Sequence, residues 1–170
     1  KLWMRILNRV EDCILWLFVQ NETAKKNILK EAKKNNVNLE KIIFAFPLER
    51  SIHLKRLKIA DLFLDTYPYN AHTTGSDAFR MSLPAITLKG KTFASRVLGS
   101  ILYSNDLNEL IVDNANEYEE LAVELASNKK MYNKLKERVS EKSKNSRLFD
   151  NFQFTRDLEN IYINLINNEK

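Results

Sequence analysis

A strand, a loop and the start of a helix are predicted for Leu64-Asp65-Thr66-Tyr67-Pro68-Tyr69-Asn70-Ala71-His72-Thr73-Thr74-Gly75-Ser76-Asp77. The apolar run ends at Asp65, Pro68 falls in the loop, and a helical pattern opens near Gly75. The N-terminus of a helix presents unsatisfied backbone N–H groups and the positive end of the helix dipole, so phosphate binds there. The segment therefore predicts an anion site where a strand ends.

Five residues of this segment are candidate ligand contacts. The hydroxyls of Thr73 and Thr74 and the imidazole of His72 are expected where phosphate oxygens would lie. Gly75 lets the backbone come close to a ligand, and a carboxylate at Asp77 can accept two ribose hydroxyls. Simpler interpretations stay open, because Thr74 could serve only as the helix N-cap and Asp77 could serve only to complement the dipole.

The rest of the chain alternates strand patterns with helix patterns. Continuous apolar runs typical of strands buried on both faces alternate with stretches of helical periodicity. Parallel strands joined by single helices give an open, doubly wound, Rossmann-like α/β sheet with helices on both faces. We expect one domain over 1–170, with a C-terminal helix at 152–168. The predicted strands are 13–19, 41–46, 61–65, 85–88 and 110–112. The predicted helices between them are 22–35, 51–59, 75–81 and 92–103, and three further helices are predicted after the last strand.

The only two histidines, His53 and His72, both follow predicted strands at the same edge of the sheet. Ligands of such sheets bind outside the carboxyl ends of the strands, which favours a shared site over two unrelated surface histidines. No metal is expected, because neither histidine has a second ligand at a suitable spacing. Asp61 and Asp65 are also excluded as a metal-binding pair, since a strand at about 3.3 Å per residue places them about 13 Å apart.

The composition excludes several classes of protein. The chain has 170 residues, of which 44% are hydrophobic and 29% charged, as in ordinary soluble globular proteins. Its longest apolar run, 13–19, is too short for a membrane helix. The single cysteine, Cys13, excludes an internal disulfide and fits a cytoplasmic protein, and we expect it to be buried in a strand. The net charge of +5 is spread over solvated helices, so no nucleic-acid partner is expected. The start at Lys1 suggests a piece of a longer protein.

Three ordered motifs carry a resemblance to a known family. They are Ala60-Asp61-Leu62-Phe63-Leu64-Asp65-Thr66, Pro68-Tyr69-Asn70-Ala71-His72-Thr73-Thr74 and Thr92-Phe93-Ala94-Ser95-Arg96-Val97. Together they resemble the O-linked N-acetylglucosamine transferase and SPINDLY family. The resemblance implies an inverting protein O-glycosyltransferase of the GT-B type, of which this chain would be the C-terminal half. It also implies a nucleotide-sugar donor and no metal cofactor.

The resemblance implies roles for individual residues. His53 matches a residue that packs against the nucleotide base, with Arg50 and the backbone near Leu48 beside it, and Arg56 adds positive charge. Asp77 matches the ribose contact. Thr73 and Thr74 match pyrophosphate contacts, and His72 matches a residue near the diphosphate and the sugar. In relatives, a phosphate-contacting lysine, the acceptor-binding groove and tetratricopeptide repeats lie upstream, so the catalytic base and the protein acceptor are not identified here.

The sequence departs from the family at one point and leaves alternatives open. Ala78-Phe79-Arg80-Met81-Ser82-Leu83-Pro84 replaces Ala-Leu-Trp-Ala-Gly-Leu-Pro, so the helix behind the site is expected to pack differently. The Asn-Ala-His-Thr-Thr form favours UDP-N-acetylglucosamine, and GDP-fucose, used on the SPINDLY side, is the alternative donor. A second alternative is a module that has lost donor binding and forms interactions or a homodimer through Phe154, Leu158, Tyr162 and Leu165. A nucleotide-sugar epimerase would require more carboxylates in this half.

Overall fold

Strands and helices alternate along the computed structural model, which describes residues 1–168. Residues 169 and 170 of the predicted domain lie outside this range. The strands are β1 (Leu15–Phe18), β2 (Ile42–Ala45), β3 (Phe63–Leu64), β4 (Ala85–Leu88) and β5 (Ile111–Val112). The helices are α1 (Leu2–Arg9), α2 (Glu22–Lys34), α3 (Arg50–Leu57), α4 (Thr73–Arg80), α5 (Val97–Tyr103), α6 (Ala115–Ser127), α7 (Lys129–Lys144) and α8 (Asn151–Asn168).

Every strand pair is parallel, as the alternation predicted. β1 pairs with β2, and β4 lies between β3 and β5, so the strands form one pair and one set of three. The register aligns Leu15 with Ile42 and Phe63 with Ala85. Parallel pairing requires a crossover between neighbouring strands, and a helix supplies it in each case. The α/β class and the parallel sheet are therefore confirmed.

The main hydrophobic core surrounds β4. Ala85, Ile86 and Thr87 are at most 3% exposed, as expected for a central strand covered on both faces. Helices α4, α5 and α6 all contact this strand. The helices and loops around it contribute Phe79, Leu98, Leu102, Leu107, Leu110, Tyr118, Ala122 and Leu125.

A smaller core lies between the β1–β2 pair and helices α1 and α2. It contains Met4, Leu7, Leu15, Ala32, Val37 and Ile42. The alternate positions of these strands are exposed, including Trp16, Phe18 and Ile43. Side chains alternate between the two faces of a strand. One face of the β1–β2 pair is therefore buried in this core, and the other face is largely open to solvent.

Several predicted boundaries differ from the structure. β1 begins at Leu15, so Cys13 lies before the strand, where its Sγ donates to the carbonyl of Val10 at 3.2 Å. The prediction that Cys13 is buried within the strand is therefore wrong, although partial burial does raise the pKa of its thiol. The helix predicted over 92–103 consists of a short 3₁₀ turn, Phe93–Ser95, followed by α5.

The segment that departs from the family pattern has a clear packing role. Ala78 and Phe79 are buried, and the guanidinium of Arg80 lies 4.0 Å above the ring of Phe149. A cation above an aromatic face is attracted to it, so Arg80 holds the 3₁₀ turn Arg147–Phe149 against α4. Ser82, which the resemblance matches to a glycine of the family pattern, has φ of 60°.

Helix α8 extends from the domain with every residue exposed. Its large apolar side chains include Phe152, Phe154, Ile161, Tyr162 and Ile166, each more than half exposed. Exposed apolar surface of this extent is typical of an interaction site. Among the described residues, no helix has both the length and the apolar character needed to cross a membrane.

Candidate functional site

The candidate residues lie in the loops and helices that follow β2 and β3. Arg50, His53 and Arg56 are on α3, which follows β2, and His72 to Asp77 are at the start of α4, which follows β3. Within each set the strands are parallel, and ligands of such folds bind outside the carboxyl ends of the strands. The placement of both histidines at one edge stays a prediction.

The loop between β3 and α4 is held by a buried carboxylate. Oδ1 of Asp65 accepts hydrogen bonds from the backbone N–H groups of Thr66 at 2.8 Å and Ala71 at 2.7 Å. Its Oδ2 accepts from the hydroxyl of Thr87 at 2.6 Å, and the hydroxyl of Tyr118 donates to its backbone carbonyl at 2.9 Å. Burial raises the pKa of Asp65, although these hydrogen bonds act in the opposite direction. Asp65 therefore orients the loop through these hydrogen bonds, and neither Thr87 nor Tyr118 was predicted to contact it.

Helix α4 begins at Thr73, two residues before the predicted start. His72 is its N-cap residue and makes no side-chain capping bond. The interpretation of Thr74 as N-cap is therefore wrong, because Thr74 already lies in the first turn. Helix geometry leaves the N–H groups of Thr73, Thr74 and Gly75 without partners inside the helix. Thr73 and Thr74 are exposed, so this end of the helix presents N–H groups and two hydroxyls to a ligand.

Two aromatic rings fix the side chain of His72. Tyr69 stacks on the imidazole with ring centroids 4.8 Å apart, and the ring of Phe93 meets it edge-on at 5.9 Å. Nε2 of His72 is buried and has no hydrogen-bond partner among the described residues. A buried polar atom without a partner is uncommon in proteins and is often satisfied by a ligand or water. The residue predicted near the diphosphate thus carries a buried polar atom without a partner among the described residues.

Arg50 and Asp77 join the two helices of the site. Nη2 of Arg50 lies 3.1 Å from Oδ1 of Asp77, and the aspartate side chain is only 9% exposed. The arginine side chain is 68% exposed, so it covers a carboxylate that is otherwise recessed. This contact brings the predicted base region and the predicted ribose contact together.

Arg56 and His53 form a second contact on α3. Nε of Arg56 donates to Nδ1 of His53 at 2.9 Å, and Nη1 donates to the carbonyl of Phe46 at 2.7 Å. The guanidinium carbon also lies 5.5 Å from the centroid of the Trp16 ring. Burial, followed by the positive charge of Arg56, lowers the pKa of His53. The imidazole is therefore neutral near pH 7.

The two remaining candidates are Leu48 and Gly75. Leu48 is about half exposed in the loop before α3, beside the segment that Arg56 binds through Phe46. At Gly75 a Cβ would come within 2.9 Å of Leu98 Cδ1 and 3.3 Å of Ala71 Cβ. Close packing of α4 against α5 is therefore a second reason for glycine at position 75, besides close approach of the backbone to a ligand.

Two other features of residues 1–168 bear on where a ligand could bind. No three His, Cys, Asp or Glu side chains within residues 1–168 cluster closely enough to hold a metal ion. A groove of about 720 Å³ runs between α3, α4 and α7, lined by residues that include Leu57, Met81 and Lys136. Two buried polar atoms in the described residues lack a hydrogen-bond partner, namely Asn70 Oδ1 and His72 Nε2. Neither atom lines that groove.

The chain is similar to known proteins over most of its length. The family described as "Glycosyl transferase family 41" matches residues 1–158. The probable UDP-N-acetylglucosamine–peptide N-acetylglucosaminyltransferase SEC of Arabidopsis thaliana is 34% identical over 97% of the chain. The UDP-N-acetylglucosamine–peptide N-acetylglucosaminyltransferase of Caenorhabditis elegans is 31% identical over 94%. The probable SPINDLY transferase of Solanum lycopersicum is 28% identical over 95%.

A solved structure extends the similarity to three dimensions. The K341M mutant of the Thermobaculum terrenum O-GlcNAc transferase superposes with a TM-score of 0.86 and 27% identity, over 95% of this chain and 32% of that one. The chain spans only 17% of the Arabidopsis relative and 14% of the Caenorhabditis relative. The resemblance seen in the three motifs is thus confirmed, and the α/β fold is that of a GT-B glycosyltransferase. The chain belongs to glycosyl transferase family 41.

Proposed function

We propose that this chain is the donor-binding half of a protein O-glycosyltransferase and that it binds the nucleoside diphosphate of a nucleotide sugar. The observation that carries this proposal is the exposed N-terminus of α4 beside the Arg50–Asp77 pair. Phosphate would bind the N–H groups and the hydroxyls of Thr73 and Thr74, while Asp77 would accept hydrogen bonds from the ribose. His53 would stack on the base, with Leu48 and Arg50 beside it.

The proposed reaction requires these groups because the leaving nucleoside diphosphate gains negative charge as the anomeric bond breaks. Fixed N–H donors and hydroxyls stabilise such charge without reorganising. Arg50 and Arg56 add positive charge nearby, and Nε2 of His72 supplies one further polar atom. In this proposal the donor side needs no metal ion. The catalytic base and the groove for the acceptor protein belong to the upstream region.

We further propose UDP-N-acetylglucosamine as the donor and inversion at the anomeric carbon. The relatives from Arabidopsis and Caenorhabditis are both named for UDP-N-acetylglucosamine. GDP-fucose remains the alternative from the sequence. A cytoplasmic location also stays a prediction, which rests on the single cysteine.

Isothermal titration calorimetry with UDP, UMP and GDP, each in EDTA, tests the proposal. We expect UDP to bind in the millimolar range or tighter, UMP to bind more weakly because it lacks the β-phosphate, and GDP to bind more weakly than UDP. His53→Ala and Thr73→Ala should each weaken UDP binding. No heat at millimolar UDP would contradict donor binding. So would a UDP affinity in both variants equal to that of the unmodified chain. Tighter binding of GDP would support the fucose donor instead.

A second function is favoured by the exposed α8. We propose that its apolar side packs on the upstream half of the parent protein, so the predicted C-terminal helix 152–168 acts as an interface. In the isolated chain the same side chains would pair with another copy. Light scattering over a range of concentrations, comparing the chain with Phe154→Glu/Tyr162→Glu, should show a dimer only for the unmodified chain. A monomer at all concentrations would contradict the pairing.

A further inference from the structure

The contact between Arg56 and His53 restricts the protonation of the imidazole. Arginine stays protonated in proteins, so its Nε can only donate a hydrogen bond. Nδ1 of His53, 2.9 Å away, must therefore accept and carries no proton. A neutral imidazole has one protonated nitrogen, which leaves the proton on Nε2. The geometry thus selects one of the two neutral tautomers.

The guanidinium that selects this tautomer is itself held from two other directions. Nη1 donates to the carbonyl of Phe46 in the loop after β2, and the Trp16 ring of β1 lies against the guanidinium. Arginine is planar and stacks on aromatic faces while its N–H groups make hydrogen bonds in the same plane. Trp16 is 39% exposed and belongs to the face of the β1–β2 pair that is largely open. Hydrophobic packing alone does not explain a tryptophan on this open face, whereas its contact with Arg56 does.

We propose that Arg56 is a positioning residue of the nucleotide site, which fixes His53 as the neutral Nε2–H tautomer in one ring orientation, and that Trp16 holds Arg56 in place. This inference rests on the proposed function, because it assigns His53 the role of stacking on the base. A flat ring that already has the orientation of the bound state loses less conformational freedom when a base stacks on it. Arg56 therefore contributes to affinity through the position of His53.

Nuclear magnetic resonance of the nucleotide-free chain, labelled with ¹⁵N-histidine, tests the inference. The chain has only two histidines, so spectra of His53→Gln assign both rings. We expect His53 to show a protonated Nε2 and an unprotonated Nδ1. Arg56→Met should give a mixture of tautomers and raise the pKa of His53, and Trp16→Leu should do so to a smaller extent. Arg56→Lys should restore part of the preference, because lysine can still donate to Nδ1.

Lys55→Met is the matched control, since it removes one positive charge from an exposed neighbouring position on α3. The charges that face His53 are Arg56 on its own helix, Arg50 at the start of that helix and Asp77 on α4, and the control changes none of them. A wild-type His53 protonated on Nδ1, or an Arg56→Met ring identical to that of Lys55→Met, would overturn the inference. Thermal melting of Arg56→Met identifies any loss of folding.

A UDP titration of the same variants completes the test. We expect Arg56→Met to weaken UDP binding about tenfold more than Lys55→Met, which corresponds to about 1.4 kcal/mol. Equal weakening in both variants would show that Arg56 acts only through its charge and would overturn its positioning role. If no variant and no wild-type chain bound UDP, the proposed function would fail, whereas the tautomer measured without nucleotide would still decide the contact between Arg56 and His53.

Discussion

Arg50 on α3 contacts Asp77 on α4, with Nη2 3.1 Å from Oδ1. These residues are 27 positions apart in the chain, and the pair is the contact that closes the proposed ribose region. Its two members differ in exposure, because Asp77 is recessed and Arg50 extends into solvent. A ribose that donates its hydroxyls to Asp77 must share that carboxylate with Arg50 or replace it.

Asp77→Asn should weaken UDP binding about tenfold, because hydrogen bonds to a charged acceptor are about twice as strong as neutral ones. Wild-type protein should also prefer UDP to 2′-deoxy-UDP, and this preference should shrink in the variant. Calorimetric titrations with both nucleotides measure the two effects. Asp106→Asn is the control, since that exposed carboxylate pairs with Lys142. A full preference for UDP in Asp77→Asn would show that the ribose binds elsewhere.

Asp65→Ala should destabilise the fold by about 3 kcal/mol, because it leaves two backbone N–H groups and one hydroxyl without their buried acceptor. Asp65→Asn should cost less, since its amide oxygen can still accept from Thr66 and Ala71. Urea unfolding of both variants measures these changes. Similar costs for the two substitutions would show that the amide oxygen does not replace the carboxylate as an acceptor, which would contradict this prediction.

The stability of the wild-type protein relative to Asp65→Asn should fall as pH rises above the ordinary aspartate pKa of 3.8. Burial raises the pKa of Asp65, so in this range the folded state holds the proton more tightly than the unfolded chain does. The stabilisation that comes from this tighter proton binding is complete below pH 3.8. It is lost as the pH rises through the raised pKa of Asp65. Urea unfolding at several pH values measures the difference, and a difference that grows with pH would contradict the raised pKa.

Ser82→Gly should stabilise the fold by about 1 kcal/mol, because a left-handed conformation strains residues that have a Cβ. Ser82 has φ of 60° just after α4, at a position that the resemblance matches to glycine. Ser76→Gly, the same substitution inside α4, should instead cost about 0.5 kcal/mol. Thermal unfolding of both variants is the measurement. A loss of stability in Ser82→Gly would mean that the serine side chain makes a compensating contact.

Gly75→Ala tests whether packing alone explains the glycine. The new Cβ would press on Leu98, which is fully buried, so overpacking should offset the better helix propensity of alanine. In the background of Leu98→Ala, the same change should be more favourable by about 1 kcal/mol. A double-mutant cycle by urea unfolding measures the coupling. If the relieved double variant still binds UDP less tightly than Leu98→Ala alone, close approach to the ligand is also required.

The sequence predicted the alternation of strands and helices because apolar runs and helical periodicity are local. Ala85–Leu88 has the predicted bounds, since Pro84 and Gly90 flank it closely. The strand predicted over 61–65 has only two residues in the ladder, because a short strand at the edge of three pairs with β4 on one side alone. At the start of α4, His72 lies between Tyr69 and Phe93, and no local pattern reveals the contact with Phe93.

The candidate site was predicted as a set of residues but not as a set of contacts. The spacing of three between His53 and Arg56 places them on one side of a helix, so that contact had a signal in the sequence. The Arg50–Asp77 pair, the bond from Thr87 to Asp65 and the stacking of Trp16 depend on the relative placement of separate elements. Charge and polarity alone allowed many other partners for each of these residues.

The most direct test of donor binding is a map of backbone amide shifts when UDP is added to the ¹⁵N-labelled chain in EDTA. We predict progressive, saturable shifts at Thr73, Thr74 and Gly75 and around Arg50 and His53, with little change along the α7 groove at Lys136. No shifts at millimolar UDP, or shifts confined to residues outside α3 and the start of α4, would contradict the assignment of this chain as a donor-binding half.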